Sequence, residues 1–141
     1  MGEKRRILIV DDDAGVRFVL HHTMLRIGDD YSVDVAERAE KAIQILRDKE
    51  FDLLITDIRL PGMSGVQLTE ALRHSGAHTS VVWITAFGGP KLRQEAESLD
   101  VYRLLNKPLE ISEIRNTAIA AIDDLFGTDG EDNGQGGGVA S

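Results

Sequence analysis

The 141-residue chain is expected to fold as an α/β protein, a doubly wound (βα)5 parallel sheet with strand order 2-1-3-4-5. Two observations lead there. Short apolar runs alternate five times with stretches whose apolar residues recur at helical spacing, the pattern of βα units that cover both faces of a sheet. The runs are nearly all apolar rather than alternating with polar residues, as in strands buried on both faces. Right-handed crossovers then set strands one and three side by side where the winding reverses, with the carboxyl ends of the strands along one rim.

Lys4-Arg5-Arg6 leads into the first run, Ile7-Leu8-Ile9-Val10. After Asp11-Asp12-Asp13, the residues Val16, Val19, Leu20, Thr23, Met24 and Ile27 mark one face of a helix, which Gly28-Asp29-Asp30 closes. A second strand spans Ser32 to Ala36, and Ala39, Ala42, Ile43 and Leu46 mark a second helix running to about Lys49. Phe51 to Thr56 is the third strand, with Asp57 at its end and Pro61-Gly62 forcing a turn. Ser64 and Gln67 have the spacing of a capping box, so a third helix starts at Ser64 and runs to about Ser75. Ser80 to Thr85 is the fourth strand. Gly88-Gly89 is a flexible joint, and Pro90 suits the first turn of a helix that turns Leu92, Ala96 and Leu99 inward. Val101 to Asn106 is the fifth strand, and the last helix carries Ile111, Ile114, Ala118, Ile122 and Leu125 on one side.

From Gly127 onward the composition changes, with six glycines in the last fifteen residues. Such a segment cannot bury enough apolar area to offset an ordering entropy of roughly 1–2 kcal/mol per residue. Residues 1–126 are therefore expected to be the folded unit, and 127–141 a disordered acidic tail or the start of a linker to an output domain. The formal charge is -8; without the tail's Asp129, Glu131 and Asp132, 21 acidic groups stand against 16 Lys and Arg, a charge of -5. No electrostatic footprint for nucleic acid is present. The absence of cysteine excludes disulfides and thiolate metal sites. No apolar run approaches the length of a membrane span, and a cytoplasmic location is the expectation.

In this fold Asp11 and Asp12 leave strand one, Asp57 leaves strand three, Thr85 strand four and Lys107 strand five, all toward one rim. Taken singly, each has an ordinary role: the acidic triplet as a helix cap, Asp57 as a turn residue, Thr85 as a β-branched strand end, Lys107 as a solvated lysine. Together they are harder to dismiss. Two carboxylates about 4 Å apart repel by ~4 kcal/mol at an effective dielectric of 20, so the cluster needs a cation or a proton. Oxygen ligands that stay partly hydrated suit Mg²⁺, with Mn²⁺ as a substitute. A metal-held aspartate within reach of an ammonium group is equipped for phosphoryl transfer, with the carboxylate as nucleophile. A hydroxyl such as that of Thr85 can then donate to the transferred group, a contact that exists in one state only and so shifts a population.

Asp11-Asp12, Asp57 with Leu60-Pro61-Gly62-Met63-Ser64-Gly65, Thr85-Ala86 and Lys107-Pro108 together resemble the receiver domain of bacterial two-component response regulators, of the kind found in chemotaxis regulators, over about Arg6 to Phe126. The resemblance implies a flavodoxin-like fold with Asp57 as phosphoacceptor, taking phosphate from a sensor histidine kinase or a phosphotransfer protein. It implies that Asp11, Asp12, Asp57 and the backbone carbonyl of Arg59 hold Mg²⁺, that Thr85 follows the phosphoryl group, and that Lys107 pairs with it. It also implies a cis bond before Pro108 and an output or homodimer surface on helix four, strand five and helix five.

The chain departs from the family pattern at three places. Leu104 stands where Tyr or Phe is frequent; Tyr102, two residues earlier, is expected by strand alternation to face the same side, either as a packed tyrosine or as a stand-in. Phe87 and Arg59, two residues after Thr85 and Asp57, are expected to overlie the pocket and to hinder an attacking water, or else simply to lie on the surface. Ser64 replaces a frequent Asp and caps equally well. Two other functions compete. A degenerate receiver would dock a partner without phosphorylation, against which the complete set of Asp11, Asp12, Asp57, Thr85 and Lys107 argues. An aspartate-nucleophile phosphatase would need a substrate cap, and no inserted segment could form one. The domain is therefore expected to catalyse only its own phosphorylation and dephosphorylation.

Overall fold

The computed structural model describes residues 4–126; the tail expected over 127–141 lies outside the described residues. Ten elements alternate: β1 (Arg5–Val10), α1 (Ala14–Leu25), β2 (Tyr31–Ala36), α2 (Ala39–Asp48), β3 (Leu53–Asp57), α3 (Gly65–His74), β4 (Ser80–Thr85), α4 (Pro90–Ser98), β5 (Arg103–Asn106) and α5 (Ile111–Phe126). The five strands are parallel in the order β2-β1-β3-β4-β5. The expected order is the observed one.

Strand alternation divides the core into two layers. Leu8, Val10, Leu54, Val81 and Trp83 face α2, α3 and α4. Ile7, Ile9, Leu53, Ile55, Val82, Ile84 and Leu105 face α1 and α5. The run Ile7 to Val10 is no more than 1% exposed at any residue, as expected of a strand covered on both sides. Fully burying an aliphatic side chain of this size contributes about 1.5–3 kcal/mol, so the central strands anchor everything at their ends.

Two expectations need correction. Tyr102 does not share a side with Leu104: it packs with the α5-side layer, while Leu104 packs with the opposite one. β5 begins only at Arg103, so the alternation that governs Leu104 does not reach back to Tyr102. In α1, Leu20, Thr23 and Met24 are buried but Val19 is 44% exposed, because the stripe that meets the sheet is narrower than the run of apolar residues.

The turn after β3 is built as its residues dictate. Gly62 has φ +76, a left-handed conformation that side chains other than glycine resist. Ser64 accepts from the Gln67 amide while the Gln67 side chain accepts from the Ser64 amide, which satisfies two orphan donors of α3. Gly65 opens the helix against the sheet: a Cβ there would collide with the carbonyl oxygen of Asp57. The start of α3 therefore rests directly on the end of β3. Deeper in, Trp83 donates its indole N–H to Thr69 Oγ1 at 2.9 Å, and Thr69 donates to the Gly65 carbonyl at 2.8 Å.

Candidate functional site

Because the strands are parallel, their carboxyl ends share one edge, and four of them deliver a polar side chain to it. Asp11 follows β1, Asp57 ends β3, Thr85 ends β4 and Lys107 follows β5. Asp11 is fully buried and Asp57 is 5% exposed, whereas Asp12 is exposed. Lys107 Nζ donates to Asp57 Oδ2 at 2.9 Å and stands 3.3 Å from Asp11 Oδ2. The peptide bond between Lys107 and Pro108 is cis, as the resemblance implied.

Local bonds fix the two buried acids. The Arg59 amide donates to Asp57 Oδ1 at 3.0 Å, and the Asp13 amide donates to Asp11 Oδ1 at 2.9 Å. Asp13 itself caps α1, accepting from the Val16 amide at 3.1 Å, which is the ordinary role expected of an acid in that triplet. Asp11 Oδ2 is buried without a hydrogen-bond donor; the 3.3 Å approach of Lys107 is an ion-pair contact that lacks hydrogen-bond geometry. Carboxylate oxygens of Asp11, Asp12 and Asp57 lie within 4.8 Å of one another, and no other such cluster occurs among the described residues.

The electrostatics follow from this crowding. Burial pushes the Asp11 carboxyl above its ordinary value, and the Asp57 charge adds to the rise, while the Asp13 amide and Lys107 oppose it. For Lys107, burial works against the charge, but the hydrogen bond to Asp57 and the charges of both acids outweigh it and hold the ammonium above its usual value. The pocket thus keeps its lysine charged, yet one buried acceptor remains without a donor. An all-oxygen donor set with an orphaned carboxylate oxygen is chemically suited to a hard divalent cation.

Thr85 is fully buried, and its hydroxyl turns back into its own loop: it donates to the Phe87 carbonyl at 3.2 Å and accepts from the Phe87 amide at 3.1 Å. Arg59 and Phe87 meet across the rim, the guanidinium carbon 5.4 Å from the ring centroid. Reading the residues in order did not single out three supporting side chains. Arg17 donates to the Asp11 carbonyl at 2.8 Å, and Glu40 accepts from the Met63 amide at 3.0 Å, which holds the turn after Asp57. Arg73 donates to the carbonyls of Leu99, Ala77, Thr79 and Asp100. Only Arg17 left a signal, since a basic residue in the first turn of a helix can reach back to the strand end before it.

Comparisons with known proteins converge. The profile of the response regulator receiver domain matches residues 7–119. Sporulation initiation phosphotransferase F of Bacillus subtilis is 32% identical over 116 residues, covering 82% of this chain and 90% of that protein. Response regulator protein PilR of Pseudomonas aeruginosa is 30% identical over 119 residues, covering 84% of this chain but 26% of PilR. Chemotaxis protein CheY4 of Vibrio cholerae superposes with a TM-score of 0.78 at 25% identity, covering 84% of this chain and 98% of that one. The signal receiver domain of an HD domain-containing protein from Pseudomonas fluorescens reaches 0.81, also at 25% identity, over 90% and 93%. With a family profile running over most of its length and the strand order expected from its alternating pattern, this chain belongs to the signalling domains known as response regulator receiver domains, which act in two-component systems.

Proposed function

We propose that Asp57 is the phosphoacceptor of this receiver domain. A carboxylate oxygen of Asp57 attacks the phosphorus of a phosphohistidine, the P–N bond breaks, and its electron pair returns to the imidazole of the donor. Lys107 pairs with the phosphoryl oxygens, and Thr85 turns its hydroxyl to them once transfer is complete. Asp11, Asp12, Asp57 and the backbone carbonyl of Arg59 would hold Mg²⁺, or Mn²⁺ in its place. When bound, the ion supplies positive charge against the phosphoryl oxygens.

The observation that carries this reading is the 2.9 Å contact between Lys107 Nζ and Asp57 Oδ2 beside two further acids. The donor is a sensor histidine kinase or a phosphotransfer protein, and a cytoplasmic location goes with that role. The chain catalyses only its own phosphorylation and dephosphorylation, contacts no nucleic acid itself, and offers α4, β5 and α5 as an output or homodimer surface. Residues 1–126 form the receiver, and 127–141 a tail or linker.

Incubation with acetyl phosphate and Mg²⁺ tests the assignment. The mass should rise by one phosphoryl group, and Asp57→Asn should abolish the gain. A receiver that only docks a partner would show no gain in either protein.

A further inference from the structure

Phe87 is 70% exposed, the most exposed large apolar side chain among the described residues, yet both ends of it are held. Its ring lies 5.4 Å from the Arg59 guanidinium, and its amide and carbonyl both bond the Thr85 hydroxyl. Arg59 in turn is tied by its own amide to Asp57 Oδ1. One exposed aromatic therefore links the loop after β4 to the loop after β3. A hydroxyl has a single proton to donate, so Thr85 cannot serve a group on Asp57 while it serves the Phe87 carbonyl.

Beyond Phe87 the chain is open at one glycine and close to β5 at the other: a Cβ on Gly89 would meet nothing within 4 Å, whereas one on Gly88 would stand 3.0 Å from Asn106 Oδ1 and 3.8 Å from the side chains of Leu104 and Thr85. We propose that the Arg59–Phe87 stack is a positioning device: it keeps Thr85 in its loop-bonded orientation and so opposes engagement of a phosphoryl group on Asp57. The second half of this statement rests on the phosphoacceptor reading. The first half does not.

Both residues are exposed, so the variants should fold. Hydrogen exchange of the residue 87 amide, measured in the phosphate-free chain and corrected for intrinsic rates, reads the first half. Arg59→Gln and Phe87→Leu should each speed it about two- to fivefold, the effect of one exposed cation–π contact. The double variant should exchange no faster than the faster single, because both remove the same contact, and Phe87→Trp should restore the parent rate. The midpoint for beryllofluoride with Mg²⁺ should fall by the same factor in each single variant. An unchanged exchange rate in either single, a double equal to their product, or an unaltered or raised midpoint overturns the proposal. If the parent takes up no beryllofluoride at all, the phosphoacceptor reading fails with the second half, and the exchange rates still judge the first.

Discussion

Lys107 faces two carboxylates, 2.9 Å from Asp57 and 3.3 Å from Asp11, so its removal leaves like charges buried against each other. Breaking a fully buried pair costs about 3–5 kcal/mol. The Lys107 side chain is 25% exposed, and solvent screening reduces the figure. Lys107→Met is expected to lower the unfolding free energy by about 1–3 kcal/mol in Mg²⁺-free buffer at neutral pH. Urea unfolding checks this: a lower midpoint at constant slope supports it, and an unmoved midpoint means that the acids do not depend on the lysine. A second expectation concerns water. If Asp57 carries the phosphoryl group, as proposed, its loss needs a water aligned on phosphorus, and Arg59 and Phe87 meet at the rim of that pocket. Arg59→Asn with Phe87→Glu should therefore dephosphorylate clearly faster than the parent; decay at the parent's rate discards the shielding role. The acids, the threonine and the lysine were legible in order along the chain because a parallel sheet sends every strand's carboxyl end to one edge. Glu40 was harder to see than Arg17, because it is recruited across the fold by one backbone amide that any residue could present.

At the scale of the element, the informative case is Arg73, near the end of α3. Its guanidinium donates to four carbonyls, three of them at 2.7–3.0 Å and the fourth, Ala77, at 3.5 Å. It joins α3 to the segment before β4 and to the turn after α4, where Asp100 has φ 56. Burial draws its pKa below the ordinary arginine value, and Asp100 partly opposes this. A hydrogen bond from a charged donor contributes about 1.5–3 kcal/mol, and bonds that share one side chain do not add. Arg73→Ala should cost about 2–4 kcal/mol, and Arg73→Lys should recover less than half, since one ammonium cannot span the fork. Thermal unfolding separates the two; a lysine variant as stable as the parent would show that charge alone suffices. Elements were legible where a local signal coincided with the tertiary need: Ser64 and Gln67 start α3, Pro90 starts α4, and Ser80 to Thr85 is a strand with the bounds expected. They were less so where burial was decided by a neighbour. Tyr102 lies outside the strand whose alternation would have placed it, and Val19 lies beyond the stripe that α1 buries.

For the molecule as a whole, the two core layers fix where the strands end, so folding itself brings the acids of the pocket together. Asp11 is fully buried, its Oδ2 has no hydrogen-bond donor, and the chain already carries a formal charge of -8. Folding therefore stores like-charge repulsion at this edge, and a cation that binds only the folded state should return it as stability. At a free concentration one hundred times Kd, such a ligand adds about 2.7 kcal/mol, on the order of 10 °C in Tm for a domain of this size. Added Mg²⁺ should raise Tm in this way, with Mn²⁺ able to replace it, and chelation should reverse the shift. Asp11→Asn should behave in the opposite sense in each condition. Without metal it should be at least as stable as the parent, because a buried charge beside Asp57 has been removed; with Mg²⁺ it should gain little. Calorimetry across a Mg²⁺ titration checks both, and it needs no phosphodonor. A parent whose Tm ignores Mg²⁺, or a variant that tracks the parent throughout, would mean that the three acids are balanced by Lys107 alone and that the orphaned oxygen of Asp11 has no cation to serve.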